Sequence, residues 1–171
     1  DTYTLTVYGV NQSAGDYTVT RLPGYGQLII NDNLNGELAY STTTPEAHIS
    51  AVEGHLTLSD EGISHLGIAH DPKLFLPSDF YLQVDIDVSG VDGWITGLSL
   101  RASDTASYLL EINHQGEWRF LLQTPTDRQV LADWNTHPAL PAEQGRFTLS
   151  ALVIGDGFDF LYNGFQFGRV T

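Results

Sequence analysis

Cysteine and methionine are both absent from the 171 residues, and basic residues are few. Without cysteine, the chain has no disulfide, no thiolate zinc site and no thiol nucleophile. Seven Lys and Arg stand against 21 Asp and Glu, which gives a formal net charge of −14. Such a field repels phosphate backbones and anionic lipid surfaces, so we expect no nucleic-acid partner. The surplus of carboxylates suits neutral polysaccharides, basic proteins or hard cations such as Ca²⁺.

Long apolar runs are also missing. No stretch approaches the roughly 18 apolar residues of a membrane-spanning helix, so we expect no membrane insertion. The numbering starts at Asp1 and no methionine is present. These two features favour a processed or excised segment of a secreted or cell-surface protein.

The apolar residues follow the pattern of an all-β chain. They recur with a period of two in short strands separated by turn residues, which is typical of a sandwich rather than of βαβ units. The run FYLQVDIDV at Phe80–Val88 is the clearest case, with its apolar residues on one face. We expect the other face to meet solvent or a ligand, and it carries Tyr81, Gln83, Asp85 and Asp87.

The chain divides near Ser41–Pro45. Residues 45–171 carry the regular strands of an antiparallel two-sheet β-sandwich, ending in FDFLYNGFQFG, where Asn163-Gly164 supplies both positive-φ positions of a type I′ turn. The first segment, residues 1–44, holds one clear strand, Thr2–Val10, and weaker strands at Asp16–Arg21 and Gln27–Ile30, and the stretch NDNLNGELAYSTTTPEA that follows is expected to be a long loop. This first segment either adds strands to the sandwich or is the remnant of a preceding β-module.

The stretch YLLEINHQGEWRFLL places a Glu, a His and an Arg among apolar residues, and we interpret it as a β-hairpin. A four-residue turn at His114–Glu117 predicts that Ile112 pairs with Arg119 and that Glu111 lies opposite Phe120. On this register Glu111 and Arg119 lie on opposite faces of the hairpin. They are therefore not expected to be partners.

Three runs carry a family resemblance: DFYLQVDIDVSG, ITGLSLRASDTASYLLEINHQGEWRFLL and FTLSALVIGDGFDFLYNGFQFGRV. Their shared features are a core-facing strand, G-L-x-x-R-A, a short acidic turn, an aromatic strand ending in E-I, G-x-W-R and a final L-Y-N-G hairpin. The runs resemble the laminin-G-like or concanavalin A-like jelly rolls of bacterial secreted and surface proteins, over about residues 54 to 170. The resemblance implies a jelly roll that acts as a non-catalytic binding or adhesion module for a carbohydrate or protein ligand.

Aromatic and short polar side chains are the candidates for ligand binding, since sugar rings stack on Trp and Tyr faces. Trp134 falls in a predicted loop after a short predicted strand at Gln129–Leu131, and Trp94 falls at the start of another predicted strand, so both are expected to be partly exposed. The alternative is that the tryptophans fill the core, as most aromatic area does. The predicted ligand-binding residues are Trp134, Trp94, Tyr81, Gln83, Asp85 and Asp87.

Calcium is the one cofactor that the sequence suggests. Asp92, Asp104 and Asp156 fall in predicted loops at strand ends, where ions bind in many sandwich lectins, although single loop aspartates also stabilise turns. His65 and His70 are five residues apart on a predicted strand and point to opposite faces, so they do not form a metal site.

Two rival functions remain open. In a filament or matrix subunit, the N-terminal strand TYTLTVYGV would pair with the sheet edge of a neighbouring copy. In a glycoside hydrolase or lyase, Asp85, Asp87 or Glu111 would sit in a cleft, but Asp85-Ile86-Asp87 lacks the third acid that catalytic concanavalin A-like hydrolases carry on such a strand.

Overall fold

The structure is a computed structural model that describes residues 4–10, 39–42, 48–52, 55–59, 63–69, 78–88, 93–103, 105–140 and 144–171. No helix among these residues is long and apolar enough to cross a membrane. Their strands, in chain order, are β1 (Thr4–Val10), β2 (Ala39–Thr42), β3 (His48–Val52), β4 (His55–Ser59), β5 (Ile63–Ala69), β6 (Phe80–Val88), β7 (Ile95–Ala102), β8 (Ser107–Asn113), β9 (Glu117–Gln123), β10 (Arg128–Thr136), β11 (Gly145–Ile154), β12 (Gly157–Tyr162) and β13 (Phe165–Val170).

Two antiparallel sheets pack against each other across one core. The first has the strand order β13-β12-β11-β6. The second has the order β10-β9-β8-β7 and continues through β1, β5 and β2, while β3 and β4 pair only with each other. For the described residues, the predicted all-β sandwich of two antiparallel sheets is therefore confirmed.

Aromatic rings from both sheets fill the space between them. The ring of Phe120 in β9 lies with its centroid 4.9 Å from those of Phe158 and Phe160 in β12. Tyr108 in β8 lies 4.9 Å from Phe158, and Trp94 stacks on Phe147 at 6.1 Å. Tilted and offset ring pairs at these separations are favourable, and each ring removes a large apolar area from water. The core therefore depends on contacts between strands that are distant in sequence.

Strand β6 and the terminal hairpin follow the sequence prediction closely. From Tyr81 to Val88 the residues of β6 alternate between half-buried and buried, as the period of two predicts. Asn163 and Gly164 have φ angles of 48° and 82°, and Tyr162 pairs with Phe165 across them. The type I′ turn is confirmed, because both of its central residues require positive φ.

Three strands differ from the prediction, and one of them, β3, falls where no strand was predicted. Ala39–Thr42 was expected to belong to a loop but forms β2, which pairs with β5. Four residues are too few to show a period, and the pairing partner is distant in sequence. Strand β10 extends well beyond the predicted Gln129–Leu131 and includes Trp134, which was expected in a loop. The register of β10 against β9 shifts twice, which interrupts the alternation that reveals a strand.

Strand β1 pairs with β7 along one edge and with β5 along the other. Both of its edges are thus occupied by its own chain. An assembly built by N-terminal strand addition would require β1 to leave these neighbours and be exchanged between copies. The strands predicted at Asp16–Arg21 and Gln27–Ile30 lie outside the described residues.

Gly97 in β7 marks a close approach between β7 and β8. A Cβ atom at this position would overlap the carbonyl oxygen of Leu110, and the carbonyl carbon would be 2.9 Å away. Because the obstructing atoms are backbone, the two strands would have to separate to make room. Gly168 in β13 is also tight, but there the nearest atoms belong to the Trp118 side chain, at 3.0 Å.

We predict that Gly97→Ala lowers the free energy of unfolding by about 3 kcal/mol or prevents folding, since it forces apart two paired strands. Gly168→Ala is the comparison, and it should cost less because a ring can shift more easily than a paired backbone. Urea unfolding followed by circular dichroism measures both. A Gly97→Ala variant as stable as the parent chain would show that β7 and β8 are not this close.

Candidate functional site

The hairpin between β8 and β9 has a register that differs by one residue from the prediction. Glu111 pairs with Arg119, and Ile112 pairs with Trp118. The predicted pairing of Ile112 with Arg119 is therefore wrong. Because successive side chains on a strand point to opposite faces, the difference places Glu111 and Arg119 on the same face and sends Trp118 to the core.

The loop that sets this register has three residues rather than four. Gly116 adopts a φ of 71° and donates its N–H to the carbonyl of Asn113 at 3.1 Å. The Asn113 side-chain oxygen accepts the N–H groups of Gln115 at 2.9 Å and of Glu117 at 3.1 Å. The side chain of Asn113 also donates to the Glu117 carboxylate at 2.9 Å. The side chain of Asn113 therefore stabilises the loop through its hydrogen bonds to Gln115 and Glu117.

Glu111 lies on the outer face of its sheet, which is the face directed away from the core. Its side chain is only 4% exposed, and two guanidinium groups contact it. Arg119 Nε donates to Glu111 Oε2, and Arg128 Nη2 donates to Oε1 at 2.9 Å. Each carboxylate oxygen thus has its own cationic donor. This arrangement offsets the large cost of removing a carboxylate from water.

The two arginines reach Glu111 by different routes. Arg119 is its direct neighbour on β9, whereas Arg128 starts from β10 opposite Gln123. Leu121, midway between positions 119 and 123 on β9, is fully buried and packs with Leu109 as a small apolar pair. The Arg128 side chain extends past β9 and places its charged end on Glu111 in β8.

Trp134 on β10 completes the group. The Arg119 guanidinium carbon lies 4.5 Å from the centroid of the Trp134 ring, which is a cation–π contact. The ring is half-buried, and the residues on either side of it along β10 are exposed. We call this region the Trp134 surface and define it as Trp134, Arg119, Glu111 and Arg128.

The other two tryptophans belong to the core. Trp94 is 1% exposed and stacks on Phe147, so the expectation that it is partly exposed is wrong. It follows Gly93 directly, and the sequence signal of a turn does not show on which side of the sheet the next side chain falls. Trp118 is 8% exposed and packs edge-on against Phe160 and Phe167, as the packed alternative predicts. Trp134 is therefore the one tryptophan available at a surface.

The four predicted residues of β6 lie on the outer face of the opposite sheet. Their side chains are half-buried, as expected for a strand face outside the core. The Tyr81 hydroxyl donates to Gln83 Oε1 at 3.0 Å, and Thr148 Oγ1 donates to Asp85 Oδ1 at 2.6 Å. Since Trp134 belongs to the other sheet, the predicted ligand-binding residues do not form one site.

Acidic residues that could bind an ion or act in catalysis do not converge among the described residues. No group of three or more His, Asp or Glu side chains there is placed to hold a metal ion. Asp156 is exposed in the turn between β11 and β12, whereas Asp92 and Asp104 lie outside the described residues. Glu111 is on β8, in the sheet opposite to that of Asp85 and Asp87, so these three carboxylates share no face.

Comparisons with protein families, with curated proteins and with solved structures give no match for this chain.

Sequence reasoning named Trp134 but missed its neighbours. Arg119 was predicted to lie on the face opposite Glu111, and Arg128 attracted no prediction, because nothing in the spacing of residues 111, 119 and 128 shows that three strands bring them together. One signal was present: Glu111 interrupts a run of apolar residues on β8, and a buried charge requires a partner. Arg119, in the other arm of the same hairpin, was the nearest cation available to it.

We predict that Glu111→Gln lowers the free energy of unfolding by about 1–3 kcal/mol, because it leaves two guanidinium groups without their carboxylate. Asp159→Asn is the matched control. Asp159 also pairs with an arginine, Arg169, at 2.7 Å, but this arginine is largely exposed, and such pairs contribute little. Urea denaturation measures the free energy of unfolding of both variants, and the loss should be larger for Glu111→Gln than for Asp159→Asn. Equal losses would show that Glu111 is no more dependent on its partners than a surface acid.

Proposed function

We propose that this chain is a non-catalytic module that binds a carbohydrate at the Trp134 surface. The observation that carries the proposal is the placement of Trp134 on the strand at the end of its sheet, with one ring face against the Arg119 guanidinium and its flanking residues exposed. Indole rings in this kind of position supply a flat apolar platform with a polar edge. A sugar ring has apolar and hydroxyl-bearing faces that match such a platform.

The polar groups around the ring suit sugar hydroxyls. Arg128 is 44% exposed at its side chain. Its planar guanidinium presents N–H donors in a fixed geometry, which can serve hydroxyl oxygens as well as the Glu111 carboxylate. The net charge of −14 favours a neutral polysaccharide over an acidic one, because the field of the whole chain repels polyanions.

The finer fold assignment is part of the same proposal. The packing of the four-stranded antiparallel sheet against strands β7 to β10 and the Tyr-Asn-Gly hairpin support a concanavalin A-like, laminin-G-like jelly roll. Domains of this architecture suit ligand binding on a sheet face. Because the sequence resembles secreted and surface proteins, we propose that this protein is secreted or lies at the cell surface.

We predict that Trp134→Ala weakens binding to a neutral polysaccharide by about tenfold or more, which corresponds to the loss of one stacking contact. A panel of soluble neutral and acidic polysaccharides, titrated by isothermal calorimetry with calcium and again with chelator, identifies the ligand first. Loss of binding in the presence of chelator would show that ligand binding requires an ion such as calcium.

Phe165→Ala is the matched control for this experiment. Phe165 is an aromatic side chain that is 72% exposed, but it lies in the terminal hairpin of the opposite sheet. Its removal should leave binding unchanged. Equal binding by the parent chain and Trp134→Ala would contradict the proposed site, and no binding to any glycan would leave a protein as the ligand to be sought.

A further inference from the structure

A continuous chain of contacts links a buried charge to the proposed binding ring. Arg128 and Arg119 hold the two oxygens of Glu111, and the guanidinium of Arg119 lies against Trp134. Trp134 and Glu111 are on β10 and β8, with β9 between them. Arg119 therefore contacts both the carboxylate on β8 and the ring on the edge strand β10.

We propose that Glu111 is a positioning residue for Trp134. Through its bond to Arg119 it fixes the plane of the guanidinium, and the guanidinium fixes the orientation of the ring. This inference rests on the proposed function, since it concerns how the same surface is prepared for its ligand. It assigns a role to a carboxylate that itself is only 4% exposed.

Glu111 can fix Arg119 because Glu111 is itself held in place. Arg128 binds the oxygen that Arg119 does not use, so the carboxylate has a partner on each side and little freedom to rotate. The acid and both arginine partners come from three adjacent strands, so the network spans the sheet. A guanidinium held in this way remains flat against the ring, which an ammonium group could not do.

Trp134 is half-buried on the edge strand of its sheet. Asp133, Asn135 and Thr136 beside it are exposed, and the register of β10 against β9 shifts between Ala132 and Asn135. A ring that samples several rotamers must lose that freedom when a ligand binds, whereas a ring already held does not. Glu111 is therefore expected to strengthen binding without touching the ligand.

The first test is the mobility of the ring and needs no ligand. Acrylamide quenching of tryptophan fluorescence reports mainly Trp134, because Trp94 and Trp118 are buried. In Glu111→Gln and in Arg119→Lys, the emission should shift to longer wavelength and the quenching constant should rise. Arg169→Lys is the control, since it alters an exposed ion pair on the opposite sheet and should change neither quantity. Circular dichroism confirms that each variant is folded.

The second test is the affinity for the neutral polysaccharide that the parent chain binds. Glu111→Gln should weaken binding severalfold in the parent chain and have no further effect in Trp134→Ala, because its action passes through that ring. A merely structural role would lower stability but leave the affinity of the folded variant unchanged.

The two proposals can fail separately. If the parent chain binds no glycan, the proposed function fails, while quenching still tests the positioning role. If Glu111→Gln and Arg119→Lys leave the quenching of Trp134 unchanged, the positioning role is overturned even where glycan binding is found.

Discussion

The buried carboxylate of Glu111 requires cationic partners, and this requirement determines which side chains surround it. Glu111 lies on the outer face of a sheet at an exposure typical of the core, and an unpaired charge there would cost several kcal/mol. The pairing must come from side chains long enough to reach the middle of the sheet, and Arg119 and Arg128 are such side chains. The guanidinium group of Arg119 also lies against the ring of Trp134. The proposed binding surface is thus a consequence of how one buried acid is satisfied.

The pairing of Glu111 with Arg119 depends in turn on the length of a loop. A four-residue turn would place the two side chains on opposite faces, and the three-residue loop places them on the same face. Gly116 permits this loop through its positive φ, and the side chain of Asn113 closes it. The three-residue loop is thus stabilised by a glycine backbone and by the side-chain hydrogen bonds of Asn113, neither of which an alternating pattern shows. For this reason the hairpin was predictable from the sequence, but its register was not.

Strands were likewise predicted well where neighbouring residues carry the signal, and poorly where the structure depends on residues distant in sequence. Strand β6 and the hairpin at Asn163-Gly164 were predicted well, because consecutive residues are enough to recognise a period of two or a type I′ turn. Strand β10 was predicted too short, since its register shifts break the period. Trp134 was named as a site residue on the assumption of a loop, whereas it lies on a strand. Its partners, Arg119 and Arg128, converge only through strand pairing, which no spacing along the chain reveals.

The most direct test of this account is the coupling between Glu111 and Arg119. A double-mutant cycle with Glu111→Gln, Arg119→Gln and both together, measured by urea unfolding, isolates their interaction from the effects of each side chain alone. We expect a favourable coupling of about 1 kcal/mol or more, as for neighbouring groups in one ion-pair network. Additive losses, with coupling near zero, would mean that the two side chains do not meet. The register, the network and the support of Trp134 would then all be contradicted together.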